Sequence, residues 1–432
     1  MESLNVLLIG GGGREHALAW SISKSPLLGN LYIAPGNPGT ETLGVNVRLD
    51  INNFEEVADF CEANDIQLVV VGPEQPLVDG ITDYLEDEGI KVFGPSKNAA
   101  QLEGSKSFAK AIMEEYNIPT ASYTTFNRHE WSLAEEYINQ NEIYPLVLKA
   151  DGLAAGKGVF VCENREEAME ALAMMNDDVN LSSASYRIVI EEFLTGEEVS
   201  VFAICDGETA RIILHAQDHK RIGDGDKGLN TGGMGAYAPA PLLDQDGLDQ
   251  IDETIIKPMM AAMIEEGLPY KGILYCGLMM TDQGPKVVEF NCRFGDPECQ
   301  VMVPAIKSDL LELLMTCVNG KLSYANLDID TGFYTGVVMA SKGYPLAYEK
   351  GKKIDGLDKL SDDILVFHSG TYRSDTGELF TNSGRVLSVV GRGETLGESI
   401  AKTYAAVEKI SFENAYYRKD IGAKGLRRIE QA

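Results

Sequence analysis

The chain has 432 residues, with 37 lysines and arginines against 66 aspartates and glutamates, a formal net charge of −29. That balance argues against nucleic acid as a partner, because phosphate backbones are held by clustered positive charge. A hydrophobic content of 44% is enough for several cores, in roughly two to four domains, and excludes disorder as an overall description.

No apolar run reaches the roughly 18 residues of a membrane span, and the first, residues 6–9, follows Glu2 rather than a basic segment. The expectation is a protein kept in the cytoplasm, with no membrane partner. Its seven cysteines form no CxxC pair and fit reduced thiols.

In residues 1–103, strand-like runs at 4–9, 31–34, 67–71 and 91–93 alternate with amphipathic helices at 14–24, 54–63 and 78–88. This alternation predicts a doubly wound parallel sheet. Ligands of such sheets sit beyond the carboxyl ends of the strands, here the Gly/Pro-bearing segments 10–13, 35–39 and 72–74. Residues 104–325 read as a second unit. It has a helix at 105–115, a subdomain over about 121–191 and strands at 199–205 and 211–217. A Gly-rich polar loop at 218–235, a helix at 248–266 and strands at 273–280 and 285–291 follow. Residues 326–432, with strands at 335–341, 365–372 and 385–390 and a helix at 395–410, predict a small α+β domain. The fold class is therefore multidomain α/β.

Gly10-Gly11-Gly12-Gly13-Arg14-Glu15-His16 follows a strand and opens a helix, where backbone N–H groups favour an anion. The GxGxxG spacing fails, because the third glycine position falls on Glu15 or His16, and the second strand ends at Ala34-Pro35 without a ribose-binding acid. A phosphate suits this loop better than a dinucleotide; a tight turn is the alternative. Residues 149–158 have the spacing Gly-x3-Gly-Lys-Gly, which is not a Walker A loop, and join two strands as a hairpin lid able to fold over phosphates. Near residue 290, strand periodicity puts Glu289 and Asn291 on one face and Val288 and Phe290 on the other. Two hard oxygens on one face suit magnesium, and a solvated face is the alternative. Residues 191–201 form a hinge able to present backbone to an adenine and Glu198 to a ribose, or else an acidic turn. Gln217-Asp218-His219-Lys220-Arg221 places local positive charge where an anionic substrate would need it.

Gly-Gly-Arg-Glu-His at 12–16, Gly-Pro-Glu-Gln-Pro-Leu at 72–77, the lid at 149–158, Asn-Thr-Gly-Gly-Met-Gly at 230–235 and Glu-Phe-Asn-Cys-Arg-Phe-Gly-Asp-Pro-Glu at 289–298 occur in this order. So arranged, they resemble the ATP-grasp superfamily, and within it the branch that joins glycine to 5-phosphoribosylamine. The resemblance implies a Rossmann-like N-terminal domain, a central ATP-grasp fold of two α+β subdomains and a small C-terminal domain. It also implies that ATP phosphorylates the glycine carboxylate. The amine then attacks glycyl phosphate, giving glycinamide ribonucleotide, ADP and phosphate in purine biosynthesis.

By the same resemblance, Lys106, Lys149, Gly156 and Lys157 would meet ATP phosphates, and Glu191, the Phe193 backbone and Glu198 would bind adenosine. Glu289 and Asn291 would hold Mg2+ or Mn2+, and Arg293, Lys149 and Lys157 would act in catalysis. Gly11, Gly12, Gly13, Asn37, Gly39, Gly72, Glu74, Asp218, Lys220, Arg293 and Asp296 would contact phosphoribosylamine and glycine. The strand at 273–280 holds no Asp or Glu to add to the metal shell. A monomer acting on small molecules alone is expected. A related ligase using formate or bicarbonate, and a nucleotide-binding regulator without turnover, are the competing readings.

Overall fold

The computed structural model describes residues 3–154, 158–177 and 186–431. Apolar runs at the start of the chain form β1 (Leu4–Gly10), β2 (Leu28–Pro35), β3 (Val45–Asn46), β4 (Leu68–Val71) and β5 (Val92–Phe93). They pair in parallel in the order β3-β2-β1-β4-β5. Every residue of β4 is buried, as a parallel strand covered on both faces requires. Strand order reverses between β1 and β4, so Gly10 and Gly72 flank the point where such sheets take ligands. The helix expected at 78–88 is instead two, Glu74–Asp79 and Ile81–Asp87. The break is Gly80, whose φ of 104° is left-handed.

A four-stranded antiparallel sheet follows, made of β6 (Tyr123–Asn127), β7 (Leu146–Ala150), β8 (Val159–Cys162) and β9 (Arg187–Glu192) in the order β6-β9-β7-β8. Leu146, Leu148, Ile188 and Ile190 pack with Ala134, Ile138 and Leu172 into a core of their own. Lys149 pairs with Val159, so the segment between them is a hairpin connection.

The largest sheet contains β10 (Glu197–Asp206), β11 (Ala210–Asp218), β14 (Gly235–Ala238), β15 (Lys271–Thr281), β16 (Gly284–Asn291), β17 (Phe333–Ala340), β18 (Ile364–His368) and β21 (Arg385–Gly393). Their order is β16-β15-β10-β11-β14-β17-β21-β18. Two small ribbons stand beside it, β12 (Arg221–Gly223) with β13 (Lys227–Asn230) and β19 (Thr371–Arg373) with β20 (Leu379–Thr381). The first lies within the segment read from sequence as a polar loop. Short β14 pairs with β11 on one side and β17 on the other, so the strands of the tail continue the central sheet. The helix expected at 248–266 runs as Gln245–Ile251, a π turn at Asp252–Ile256 and Lys257–Glu265. A last helix, Ala423–Gln431, was not legible in the sequence. Leu7, Ile9, Val69 and Val71 of the N-terminal sheet share one core with Val199, Val201, Leu274 and Val287 of the central sheet. Among the described residues, no helix is long and apolar enough to cross a membrane.

Gly80→Ala would force a side chain into a left-handed backbone and place its Cβ 3.1 Å from Lys97 Cδ. The expected loss is about 1–2 kcal/mol, read from the urea unfolding midpoint. An unchanged midpoint would mean that the two helices can merge without strain.

Candidate active site

A cleft of about 1200 Å3 opens between the four-stranded sheet and the central sheet. Val147, Lys149 and Val159 line one wall; Asp218, Tyr275, Glu289 and Asn291 line the other. The strands thus hold two chemically different surfaces face to face, cationic above and oxygen-rich below.

Lys149 anchors the first wall. Its Nζ lies 2.9 Å from Glu191 Oε2 and donates to the Val288 carbonyl at 3.1 Å. Lys110, one helical turn after Lys106, approaches the same Glu191 oxygen at 3.3 Å. Glu191 therefore neutralises two buried ammonium groups, and its other oxygen, Oε1, is buried with no hydrogen-bond partner among the described residues. Burial lowers Lys110 to about 8 despite Glu191, and lowers Lys106 despite Glu289. Lys106 opens the helix Lys106–Glu115, capped by the Ser105 side chain, and its Nζ donates to the Gly152 carbonyl at 3.2 Å. Gly156 and Lys157 lie outside the described residues.

The second wall departs from simple alternation. Gly277 pairs with Glu289, but Leu278 pairs with Val287, leaving Val288 as a bulge whose carbonyl faces Lys149. Glu289 and Asn291 still both reach the cleft. Burial pushes the Glu289 carboxyl up, but Lys220, Lys149, Lys106 and Arg293 together bring it below the usual carboxylate range. Among the described residues it makes no hydrogen bond or ion pair, leaving an ionised carboxylate free for a hard cation. No cluster of three His, Cys, Asp or Glu gathers there among the described residues. A two-oxygen protein set fits a cation that keeps phosphate and water oxygens as its other ligands.

Arg293 is held through all three of its nitrogens. Nε reaches Glu74 Oε2 at 3.2 Å, Nη2 reaches Glu103 Oε1 at 2.9 Å and Asn291 Oδ1 at 3.3 Å, and Nη1 donates to the Phe294 carbonyl. Arg14 joins the network through Glu15 at 2.7 Å and Glu74 at 3.9 Å. Opposite these, Glu198 and Phe193 line the outer cleft, and Lys220 Nζ holds Glu198 Oε2 at 2.7 Å.

The glycine loops of the N-terminal sheet do not wall the cleft; Glu74 does. They make room for two buried side chains. A Cβ on Gly72 would stand 2.2 Å from Glu15 Oε1, one on Gly39 2.1 Å from His16 Cε1 and one on Gly11 2.6 Å from the Gly36 carbonyl. Gly12 N–H already donates to Glu15 Oε2 at 2.7 Å, so the helix end has an anion of its own. Asn37 donates to the carbonyls of Gly11 and His368. Gly12 and Gly13 nevertheless abut the cleft edge. Their Cβ positions lie 3.7 Å from Asp296 Oδ2 and 2.5 Å from Gln300 Nε2. Arg14, Glu103, Lys110, Glu298 and Arg385 line the cleft without having been singled out from the sequence. Glu298 closes a quoted motif and Lys110 is four residues from Lys106. Glu103 and Arg385 carried no comparable signal.

Family models described as Phosphoribosylglycinamide synthetase N domain, ATP-grasp (A) domain and C domain match residues 4–103, 104–299 and 334–424. The chain belongs to the phosphoribosylglycinamide synthetase family. A family relative from Mesorhizobium japonicum, named phosphoribosylamine–glycine ligase, is 49% identical over 98% of this chain and 99% of its own. The trifunctional purine biosynthetic protein adenosine-3 of Gallus gallus is 47% identical over 99% of this chain, which matches 43% of that longer protein. The crystal structure of a phosphoribosylamine–glycine ligase from Thermotoga maritima superposes with a TM-score of 0.84 at 35% identity, covering 97% of this chain and 100% of that one. A Campylobacter jejuni biotin carboxylase shares the fold at 16% identity, with a TM-score of 0.73 over 96% of this chain and 93% of its own. Membership brings an ATP-grasp domain, which uses ATP with a divalent cation, and small-molecule substrates.

Burial raises the Asp218 carboxyl to about 7 against the pull of Lys220, with Glu298, Glu198 and Glu289 adding to the rise. A carboxyl raised in the folded state from about 3.9 unfolded favours the fold when protonated. That contribution is lost as pH rises from about 4 to about 7. Ligand-free Asp218→Asn is expected to gain unfolding free energy relative to wild type across this window in urea titrations. A constant difference would remove Asp218 as the source.

Proposed function

We propose that the chain joins glycine to 5-phosphoribosylamine, with ATP passing its γ-phosphoryl group to the glycine carboxylate. The amine nitrogen then bonds to the acyl carbon of glycyl phosphate, phosphate leaves and the nitrogen gives up a proton. Glycinamide ribonucleotide, ADP and phosphate are the products, a step of purine biosynthesis. What carries the reading is the cleft itself, in which Lys106 and Lys149 face a free ionised Glu289 and Asn291 across a space lined by Arg293. A carboxylate is a poor electrophile until one oxygen becomes a phosphate, and phosphoryl transfer depends chiefly on positioning and charge neutralisation.

Lys106 and Lys149 neutralise the phosphates, and Gly156 and Lys157 contact them as well. Glu191 holds Lys149 in place, while Phe193 and Glu198 take the adenosine at the outer end. Glu289 and Asn291 would hold Mg2+ or Mn2+, which supplies charge neutralisation at the phosphates when bound. Arg293, fixed by Glu74 and Glu103, lends its charge to the transferring group without leaving its partners. Glu74, Asp218, Lys220 and Asp296 contact the glycine and amine substrates, supported by the loops of Gly11–Gly13, Asn37, Gly39 and Gly72. The enzyme acts as a cytoplasmic monomer; seven buried, unpaired cysteines accord with a reducing compartment.

The test is ADP release from ATP and Mg2+ with phosphoribosylamine generated in situ, comparing glycine present, glycine omitted and formate or bicarbonate in its place. Release that needs both glycine and the amine, with a product of the expected mass, is the expected result. Release with another acid would replace glycine as substrate, and no release from ATP-binding protein would favour a regulator. Glu289→Ala is expected to lower metal-supported turnover by about 100-fold or more with thermal unfolding unchanged. Turnover at the wild-type level would take Glu289 out of the site.

A further inference from the structure

Arg385 begins β21, in the tail of the chain, yet its side chain reaches the cleft. Its Nη1 is anchored by oxygens of two loops, donating to the carbonyls of Gly232 and Asp296 at 2.7 Å each, with Asp296 Oδ1 at 3.2 Å. Nε and Nη2 donate to nothing among the described residues. These two nitrogens form the side-on edge of the guanidinium, the edge that grips an oxyanion through two parallel hydrogen bonds. A cation fixed at one nitrogen and open along this edge is preorganised for such a ligand.

Gly232 lies over the flat face of that guanidinium. A Cβ there would stand 3.1 Å from Arg385 Cζ and Nη2 and 3.4 Å from Nε. Its backbone is not left-handed, so the missing side chain serves close approach rather than conformation. Asp296 also accepts from Gln300 Nε2 at 2.8 Å, and Gln300 and Ser369 Oγ border Gly13, at the first turn of the helix Gly13–Ile22.

The geometry points to Arg385 as the oxyanion-binding residue for the 5-phosphate of the amine substrate, with the Gly232 carbonyl fixing its Nη1. This assignment rests on the ligase reading, which brings three kinds of anion into one cleft. ATP phosphates meet Lys106 and Lys149. The glycine carboxylate must lie next to the γ-phosphate, beside Glu289, Asn291 and Arg293. Of the other cations lining the cleft, Arg14 is paired with Glu15, Lys220 with Glu198, Lys424 with Asp226 and Arg428 with Glu197, whereas Arg385 offers the phosphate monoester an open bidentate edge.

Arg385→Lys keeps the charge and loses the planar fork; Gly232→Ala keeps the arginine and presses a methyl group on the face of its guanidinium, displacing the fork. Both are expected to raise KM for phosphoribosylamine at least about tenfold, a change of about 1.4 kcal/mol, with KM for ATP and for glycine unchanged. A rise in KM for glycine instead would assign the fork to the carboxylate and overturn the phosphate assignment. Wild-type KM values in both variants would overturn it outright. Thermal unfolding with ribose 5-phosphate, against ribose as control, reads the same site without turnover. The wild type should be stabilised by the phosphate ester alone and Arg385→Lys by neither, from the same ligand-free midpoint. Equal stabilisation of the two proteins, or none of the wild type, would overturn the assignment. If the wild type releases no ADP yet shows this Arg385-dependent stabilisation, the ligase reading falls and the oxyanion site stands.

Discussion

Gathering lysines and arginines in a partly dehydrated cleft requires carboxylates among them, because an unpaired buried charge is costly. Glu191 serves Lys110 and Lys149, Glu103 and Glu74 serve Arg293, and Glu198 serves Lys220. These pairs come from every layer of the fold, since Glu74 follows β4, Glu103 lies on the connecting helix Gln101–Gly104 and Glu191 is on β9. Without their compensation the two walls would repel each other whenever no polyanion stood between them.

Glu289 is the exception that gives this arrangement its use. Four cations favour its ionised form, but none among the described residues pairs with it within 4 Å. The surplus negative charge sits where the opposite wall is cationic, so a metal–nucleotide complex completes both surfaces together. The Val288 bulge contributes by turning one extra carbonyl toward Lys149, which draws the ammonium group to the base of the same strand.

Much of this could be read from the residues. Lys149, Glu289, Asn291 and Arg293 lie in short motifs whose chemistry is local, and strand periodicity alone brought Glu289 and Asn291 to one face. The parallel strands of the first domain were equally plain, because runs such as Leu68–Val71 leave no polar face. Interactions set by tertiary pairing were hidden. Nothing near Glu103 announces Arg293, 190 residues on, and nothing near Arg385 announces Gly232. The glycine loops were legible as places of close approach. They resemble phosphate cradles, but their missing side chains accommodate Glu15 and His16. Glycine marks close approach without saying what approaches, and Gly72 and Gly39 lie against side chains of the chain itself.

The four residues of β14 join the central strands to those of the tail by hydrogen bonds on both sides. Cutting the chain between these regions would not yield two finished pieces. Each would carry a raw strand edge, open to pairing with other chains. The tail is thus no appendage that a lineage can shed or exchange freely. An insertion that separated β14 from β17 would leave both halves prone to aggregate.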